Sequence, residues 1–338
     1  MASLTGSHPI LSCDDLSCTI TAQPAPLQVL HGIDFSVARS RTLGIVGESG
    51  AGKSMLIKSI MGLTPTPVRV EGRIVLDGTD LSTLSLKDRS QMIGRKVGIV
   101  FQNPMTSLNP YVTVGRQIEE TGRFHLTLSR AQAHDRAVEL LDVVGIADPE
   151  DCYDYFPHQF SGGMKQRIMI AGALMCRPDL LIADEATTAL DVTVQKEILD
   201  LLQILQEERQ MSMILVSHNL GVVAGRTDDI LVLYGGHIVE MGRTADVFRH
   251  RRHPYTEALL SAMPRIDQPA HARLRTIPGQ PPSLASQSTG CPFAPRCPGA
   301  QEICRRIMPP MTIGENDHRF ACHFPLNDVT SQREVSHG

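Results

Sequence analysis

Eight consecutive residues, Gly47-Glu48-Ser49-Gly50-Ala51-Gly52-Lys53-Ser54, have the types and spacing to hold a chain of phosphates. Phosphate oxygens need many donors at once. The glycines free backbone N–H groups to surround them, a following helix start adds its dipole, and Lys53 supplies a mobile positive charge. Ser54, next in line, carries a hydroxyl that can ligate Mg²⁺. The pattern G-x-x-x-x-G-K-[ST] means little unless a strand precedes it and a helix follows. Thr42 to Val46 reads as a short buried strand and Met55 to Met61 as the helix, so that context is expected here.

A second group of polar residues stands at the ends of other apolar runs. Asp184-Glu185 closes the run Leu180-Leu181-Ile182-Ala183. Two adjacent carboxylates leaving a strand can project to different places, one holding Mg²⁺ through water and the other polarising an attacking water. Ser161-Gly162-Gly163-Met164-Lys165-Gln166-Arg167 opens another helix-like run and forms a second anion cradle. One nucleotide needs only one such cradle for its terminal phosphate, so the second points to a nucleotide bound on a partner subunit. His218 follows the run Met213 to Val216 and could meet that phosphate, although a histidine at a strand end is more often structural. Gln102, after its own strand, also reads as an ordinary polar loop residue.

The elements that would position these groups alternate. Pro9 to Val37 reads as a strand pair interrupted by the loop from Ala22 to Pro26, beside the main sheet. Gly72 to Leu76, closed by Asp77-Gly78, and Val97 to Phe101 are further strands. Between Met105 and Phe160 no strand is expected. Val112 to Glu120 and Ser129 to Val144 show apolar spacing of three and four, with Ser129 as a cap, so this stretch is a helical insertion. Two continuous apolar runs, residues 180 to 183 and 213 to 216, fit strands buried on both faces, joined by an amphipathic helix from Val192 to Glu208 with Ile198, Leu201, Leu202 and Leu205 on one side. Such alternation implies a parallel sheet with ligands at the strand ends. Asp229 to Leu233 and His237 to Glu240 form a closing hairpin around Gly235-Gly236, and Pro254 to Leu260 a short helix.

Composition sets the outer bounds. A chain of 338 residues has length for one large core and a smaller appendage. Apolar content of 42% and charged content of 20% are ordinary globular values, and a formal charge of -4 argues against a nucleic-acid partner held by electrostatics. Residues 1 to 12 carry no Lys or Arg and no long apolar run, so neither a signal peptide nor a membrane span is expected. Of eight cysteines, Cys13, Cys18, Cys152 and Cys176 are scattered, while Cys291, Cys297, Cys304 and Cys322 crowd a Pro- and Gly-punctuated stretch that lacks the periodicity of a core. With no export signal expected, disulfides explain that crowd poorly. Four thiolates suit iron–sulfur or zinc alike, but structural zinc favours a pair two to four residues apart, which is absent; inert thiols are the third reading.

In order and spacing, the phosphate loop, Gln102, Ser161-Gly162-Gly163, Asp184-Glu185, Ala189-Leu190-Asp191 and His218 resemble the ATP-binding-cassette ATPases over residues 10 to about 262. The resemblance implies an α/β P-loop NTPase fold. Its parts would be a RecA-like parallel core, an antiparallel β subdomain, a helical subdomain at about 105–176 and a Cys-rich extension at 263–326, followed by a flexible tail at 327–338. It implies a head-to-tail sandwich in which ATP on Gly47 to Ser54 of one subunit meets Ser161-Gly162-Gly163 of the other. Carried over, Glu185 is the general base, Asp184 and Ser54 serve Mg²⁺, Gln102 links Mg²⁺ to the membrane partner, His218 holds the γ-phosphate and Asp191 lies at the dimer seam. Three positions depart from the pattern. Ile20 stands where an aromatic ring usually stacks on adenine, Met164 where Gln is commoner, and Ala186 where Pro usually follows the carboxylates.

The segments His253-Pro254-Tyr255-Thr256, Pro278-Gly279-Gln280-Pro281-Pro282 and Gly290-Cys291-Pro292-Phe293-Ala294-Pro295-Arg296-Cys297 resemble the tail of the oligopeptide and dipeptide importer ATPases. That likeness implies a four-iron four-sulfur cluster on Cys291, Cys297, Cys304 and Cys322. It also implies a peripheral ATPase on the cytoplasmic face of an inner membrane, paired with a related, non-identical ATPase subunit, two integral permeases and an extracytoplasmic binding protein. Nickel and glutathione importers share the branch. A soluble ATPase acting on nucleic acid would want a basic face or a second phosphate loop, and a scaffold that only binds ATP would lack a carboxylate or the histidine.

Overall fold

The structure, a computed structural model, describes residues 8–21, 26–186, 190–263, 276–282 and 289–326. The loop residues 22–25, Ala189 and the tail 327–338 lie outside the described residues. In chain order the first half holds β1 (Leu11–Ile20), β2 (Leu27–Val37), β3 (Thr42–Val46), α1 (Lys53–Met61), β4 (Val68–Leu76), β5 (Thr79–Asp80), α2 (Leu86–Lys96), β6 (Val97–Val100), α3 (Pro104–Ser107), α4 (Val114–Leu126), α5 (Arg130–Val143) and α6 (Pro149–Tyr153). The second half holds α7 (Gly162–Leu174), β7 (Leu180–Asp184), α8 (Val192–Arg209), β8 (Ser212–Ser217), α9 (Leu220–Val223), β9 (Asp229–Tyr234), β10 (His237–Arg243), α10 (Thr244–Arg249), α11 (Pro254–Ser261), α12 (Glu302–Arg306), β11 (Thr312–Ile313) and β12 (Arg319–Phe320). Two compact units emerge, one of Met1–Ser12, Ser36–Thr42 and Ile74–Val216, the other of Cys13–Phe35, Leu43–Arg73 and Ser217–Gly338.

In the first unit β6, β7 and β8 run parallel, with Val97 opposite Leu180 and Leu180 opposite Ser212. Every residue of β7 and β8 is buried, which is why both read as unbroken apolar runs rather than alternating ones. Helices α4, α5 and α7 pack together as the helical insertion. Ser129 caps α5 by accepting from the Gln132 N–H while Gln132 reaches back to the Ser129 N–H, a reciprocal pair that fixes the start of the helix. α7 buries Ile168, Met169, Ile170, Ala171 and Leu174, as a helix apolar on nearly all sides must. β4 and β5 form a tight hairpin over Asp77-Gly78, both at positive φ.

The second unit contains β3 parallel to β9, then β10, β12 and β11 joined antiparallel. β1 lies between β2 and β4 in a separate sheet. The core of this unit gathers Val46, Ile230, Val232, Tyr234, Val239, Val247, Tyr255 and Leu259 with Cys291, Phe293, Ala294 and Cys304. The Cys-rich segment is thus ordered by burying a few large side chains; Phe293 alone, 1% exposed, contributes on the order of 2 kcal/mol. No helix among the described residues is long and apolar enough to cross a membrane.

Candidate functional site

β3 is buried at all five positions and delivers the chain into the glycine loop. Gly47 must be glycine, because a Cβ there would lie 2.3 Å from the Leu233 carbonyl oxygen. Gly50 and Gly52 sit at φ 81° and 108°, a region ordinary side chains avoid, and Gly52 is the N-cap of α1. The loop closes on itself: the Ala51 N–H donates to Glu48 O at 3.2 Å, and Lys53 Nζ donates to Gly47 O at 2.8 Å and Glu48 O at 3.1 Å. Lys53 is 4% exposed, so its ammonium is held in the loop. Ser49, Gly50 and Ser54 are exposed and present the loop outward. The loop's shape is fixed from outside as well. The Gly236 N–H donates to Ala51 O at 2.9 Å, and the Glu48 N–H donates to the Tyr255 hydroxyl at 2.8 Å.

In the first unit Asp184 ends β7, buried, and Glu185 follows at φ 47° with its N–H donating to Val216 O at 3.1 Å. A glutamate in the left-handed region is uncommon, and such strain concentrates at functional positions. Gln102 Nε2 donates to Glu185 Oε2 at 2.9 Å, so the structure brings together two residues 83 positions apart. The Ser161 hydroxyl caps α7 by accepting from the Met164 N–H. A Cβ on Gly163 would come within 2.8 Å of Val194 Cγ1, so the glycine lets the start of α7 approach the start of α8. There Asp191 is the N-cap, accepting from the Thr193 and Val194 N–H groups at 3.1 and 3.0 Å. The small residues of 161–163 and Asp191 therefore share one neighbourhood. His218 is exposed just beyond β8.

Cys291, Cys297, Cys304 and Cys322 line a single cavity of about 130 Å³ together with His253, Phe293, Pro298 and His323. All four are free thiols. Burial pushes the Cys291 and Cys297 thiols up and Cys322 up to about 11, because an apolar pocket disfavours the thiolate. No group of three or more His, Cys, Asp or Glu arranged to hold a metal ion occurs among the described residues.

Sequence reasoning gave no role to Arg296 or Tyr255, although both lie in tail segments singled out for their resemblance. Arg296 pairs with Glu48 of the glycine loop, its Nη1 2.5 Å from Glu48 Oε2. The only signal in the sequence was the segment itself; a pairing across 248 positions leaves no local pattern.

A glycine loop between a buried parallel strand and a helix, with a carboxylate pair ending another buried parallel strand, defines a P-loop nucleotide-binding cassette. The ABC transporter family matches residues 30–188, and the family described as oligopeptide/dipeptide transporter, C-terminal region, matches residues 239–304. The dipeptide transport ATP-binding protein DppD of Haemophilus influenzae is 46% identical over 321 residues, 94% of this chain and 96% of that protein. DppD of Escherichia coli is 44% identical, covering 95% and 98%. The oligopeptide transport ATP-binding protein OppD of Salmonella typhimurium is 42% identical, covering 96% of each. Among solved structures, the dimeric post-hydrolysis state of the ATP-binding cassette MJ0796 bound to ADP and Pi superposes with a TM-score of 0.62 at 26% identity, covering 69% of this chain and 98% of that one. The chain belongs to the ABC transporter ATPases, in their oligopeptide/dipeptide transporter branch.

Proposed function

We propose that this protein is the ATP-hydrolysing subunit of an importer for dipeptides and oligopeptides. The observation that carries the reading is similarity to dipeptide transport ATP-binding proteins over 94% of the chain, cassette and tail together. ATP and Mg²⁺ bind at Gly47 to Ser54, with Ser54 and Asp184 serving the metal. Glu185 polarises the attacking water, Gln102 holds the Glu185 carboxylate and couples the site to a permease, and His218 meets the γ-phosphate. Catalysis of this kind is positioning and charge stabilisation. Ser161, Gly162, Gly163 and Asp191 complete the site of a second ATPase subunit in a head-to-tail pair. Two integral permeases hold the pair on the cytoplasmic face of the membrane, and a binding protein delivers the peptide.

The four cysteines of the tail hold a four-iron four-sulfur cluster in this reading. In support, all four thiols line one cavity, and the sequence lacks the closely spaced cysteine pair that structural zinc favours. Cys291, Cys297, Cys304 and Cys322 would hold such a group, and its binding would staple a segment whose own core is small.

The test is uptake of labelled dipeptides, longer peptides, glutathione and nickel by cells carrying wild-type protein or Glu185→Gln, in a background without redundant importers. Loss of peptide uptake alone is the expected result. Loss of nickel or glutathione uptake instead moves the cargo within the branch, and intact uptake of everything overturns the transport reading.

A further inference from the structure

Of the three tail segments that resemble the importer branch, two touch Glu48 of the phosphate loop through Tyr255 and Arg296, and the third holds Arg296 through the Pro278 carbonyl. Arg296 is buried, its side chain 4% exposed, and each of its five N–H donors has an acceptor. Nη1 donates to Glu48 Oε2 at 2.5 Å and to the Tyr234 hydroxyl at 3.2 Å; Nη2 donates to Glu48 Oε1 at 3.1 Å and to Ile277 O at 3.3 Å; Nε donates to Pro278 O at 2.8 Å. The Glu48 main chain is held too, its N–H donating to the Tyr255 hydroxyl at 2.8 Å. Tyr255 is fully buried and packs on Tyr234 at 4.4 Å and Phe293 at 5.3 Å between ring centroids. The other side of Glu48 faces the phosphate-binding groups. Its carbonyl accepts from the Ala51 N–H and from Lys53 Nζ. A bidentate pair between a buried guanidinium and a carboxylate is rigid, and neither charge tolerates losing the other in that setting.

We propose that Arg296 is a positioning residue of the nucleotide site: through Glu48, and with Tyr255, the C-terminal segment holds the phosphate loop in its binding shape and so sets the affinity for ATP. The inference rests on the reading of Gly47 to Ser54 as the ATP site. With the clamp in place the loop is already ordered before nucleotide arrives. Without it, ordering the loop is charged against binding, and affinity falls although no group that touches phosphate has changed. Tyr255 comes from the segment after β10, Pro278 from the proline-rich segment and Arg296 from the cysteine segment, so one contact point accounts for all three.

The experiment measures binding of a fluorescent ATP analogue to the purified full chain, alongside KM and kcat for ATP and the melting midpoint. The variants are Arg296→Met, Arg296→Lys, Glu48→Gln, the Glu48→Gln/Arg296→Met double, Tyr255→Phe and Lys53→Ala. Arg296→Met and Glu48→Gln are each expected to weaken nucleotide binding and raise KM about tenfold with a much smaller change in kcat, and the double variant to be no worse than either single, as members of one unit are. Arg296→Lys restores part of the affinity, since an ammonium can meet the carboxylate but not every other acceptor. A fall in melting midpoint with unchanged affinity and KM overturns the proposal. Should Arg296→Met fail to fold, Tyr255→Phe decides, because it removes one hydroxyl: a weakening of about fivefold, roughly what one hydrogen bond gives, supports the clamp and no change overturns it. Lys53→Ala separates the two levels. If it binds nucleotide like wild type, the phosphate-loop reading itself fails; if it alone loses binding, only the clamp fails.

Discussion

Gln102 Nε2 and Glu185 Oε2 are 2.9 Å apart, so a residue two positions past β6 restrains the carboxylate that follows β7. Restraint of this kind suits a general base, which must aim one oxygen at a water. Glu185 also occupies the left-handed region at φ 47°, a conformation that favours Asn or Gly over Glu. Glu185→Gln is expected to lower ATP turnover by at least about 100-fold while leaving ATP affinity within a few-fold of wild type. Glu185→Asn should lose turnover equally yet melt no lower than wild type, because Asn relieves the backbone. Steady-state phosphate release, nucleotide titration and thermal melts read all three quantities. A variant that hydrolyses ATP at the wild-type rate removes Glu185 from the chemistry.

Asp191 stops the chain from entering α8 with bare amides by accepting from two of them, at Thr193 and Val194. Asp191→Ala should lower stability by about 1 kcal/mol, and Asp191→Ser by a few tenths at most. Urea denaturation gives both values. If Asp191 also lies at a seam between subunits, Asp191→Ser keeps the fold but weakens ATP-dependent dimerisation, measured by sedimentation of a turnover-deficient background. Equal loss of stability in both variants would mean the cap is not what the carboxylate supplies.

These capped and buried elements were the legible ones. β7 and β8 announced themselves through the apolar runs 180–183 and 213–216 within them, and Ser129 marked the start of α5 because its side chain has a fixed job there. α2 was not expected. Its sequence is mostly polar, Leu86 is exposed, only Ile93 is buried, and the helix rests on Ser85 accepting from the Asp88 N–H with Arg95 and Lys96 at its far end. With no apolar face there is no periodicity to read. β11 and β12 are two residues each; β12 exists through pairing with β10, more than 70 positions away, and β11 through pairing with β12, so no local window reports them. β4 runs four residues earlier than Gly72 suggested, because Gly72, at φ 97°, sits inside the strand against the Asp15 carbonyl instead of starting it. In the candidate site the residue types and spacings gave the loop, the carboxylates and the cysteines. The contacts of Glu48 with Arg296 and Tyr255 required the fold.

Two histidines give the protein an acid-sensitive stability. Burial lowers both His237 and His253 from the ordinary 6.5 to about 4. His237 stacks on His31 at 4.2 Å, and His253 Nδ1 accepts from the Tyr255 N–H at 3.0 Å, a bond that a proton on Nδ1 would break. Between pH 6.5 and 4 the unfolded chain binds the protons that the folded one refuses. Stability is therefore fully present above about pH 6.5 and lost as pH falls towards 4, with a mid-window slope of about two protons from this pair. His253→Asn keeps an N-cap acceptor and removes one titration, so its stability should fall less steeply across that window. Denaturant midpoints at half-unit pH steps measure both slopes; identical slopes for wild type and variant would place the acid sensitivity elsewhere.

The cysteine cavity makes the last prediction, because it adjoins the clamp on the phosphate loop. Arg296 is bonded to Cys297 and its N–H donates to Phe293 O at 2.9 Å, so it lies in the turn that joins two of the four cysteines, and the Cys291 N–H ties that turn to Cys304 O at 2.8 Å. Anaerobically purified wild-type protein is expected to carry iron and acid-labile sulfide in equal amounts. Cys297→Ser or Cys304→Ser should lose both, whereas Cys176→Ser, in the other unit, should keep them. Stripping the metal with a chelator is then expected to weaken nucleotide binding several-fold, in step with metal loss, and to do so less in Arg296→Met, where the connection is already cut. Zinc in place of iron would replace the cluster reading but leave the coupling test intact. Metal removal that changes nucleotide affinity equally in wild type and Arg296→Met would show that the cavity reaches the loop by another route.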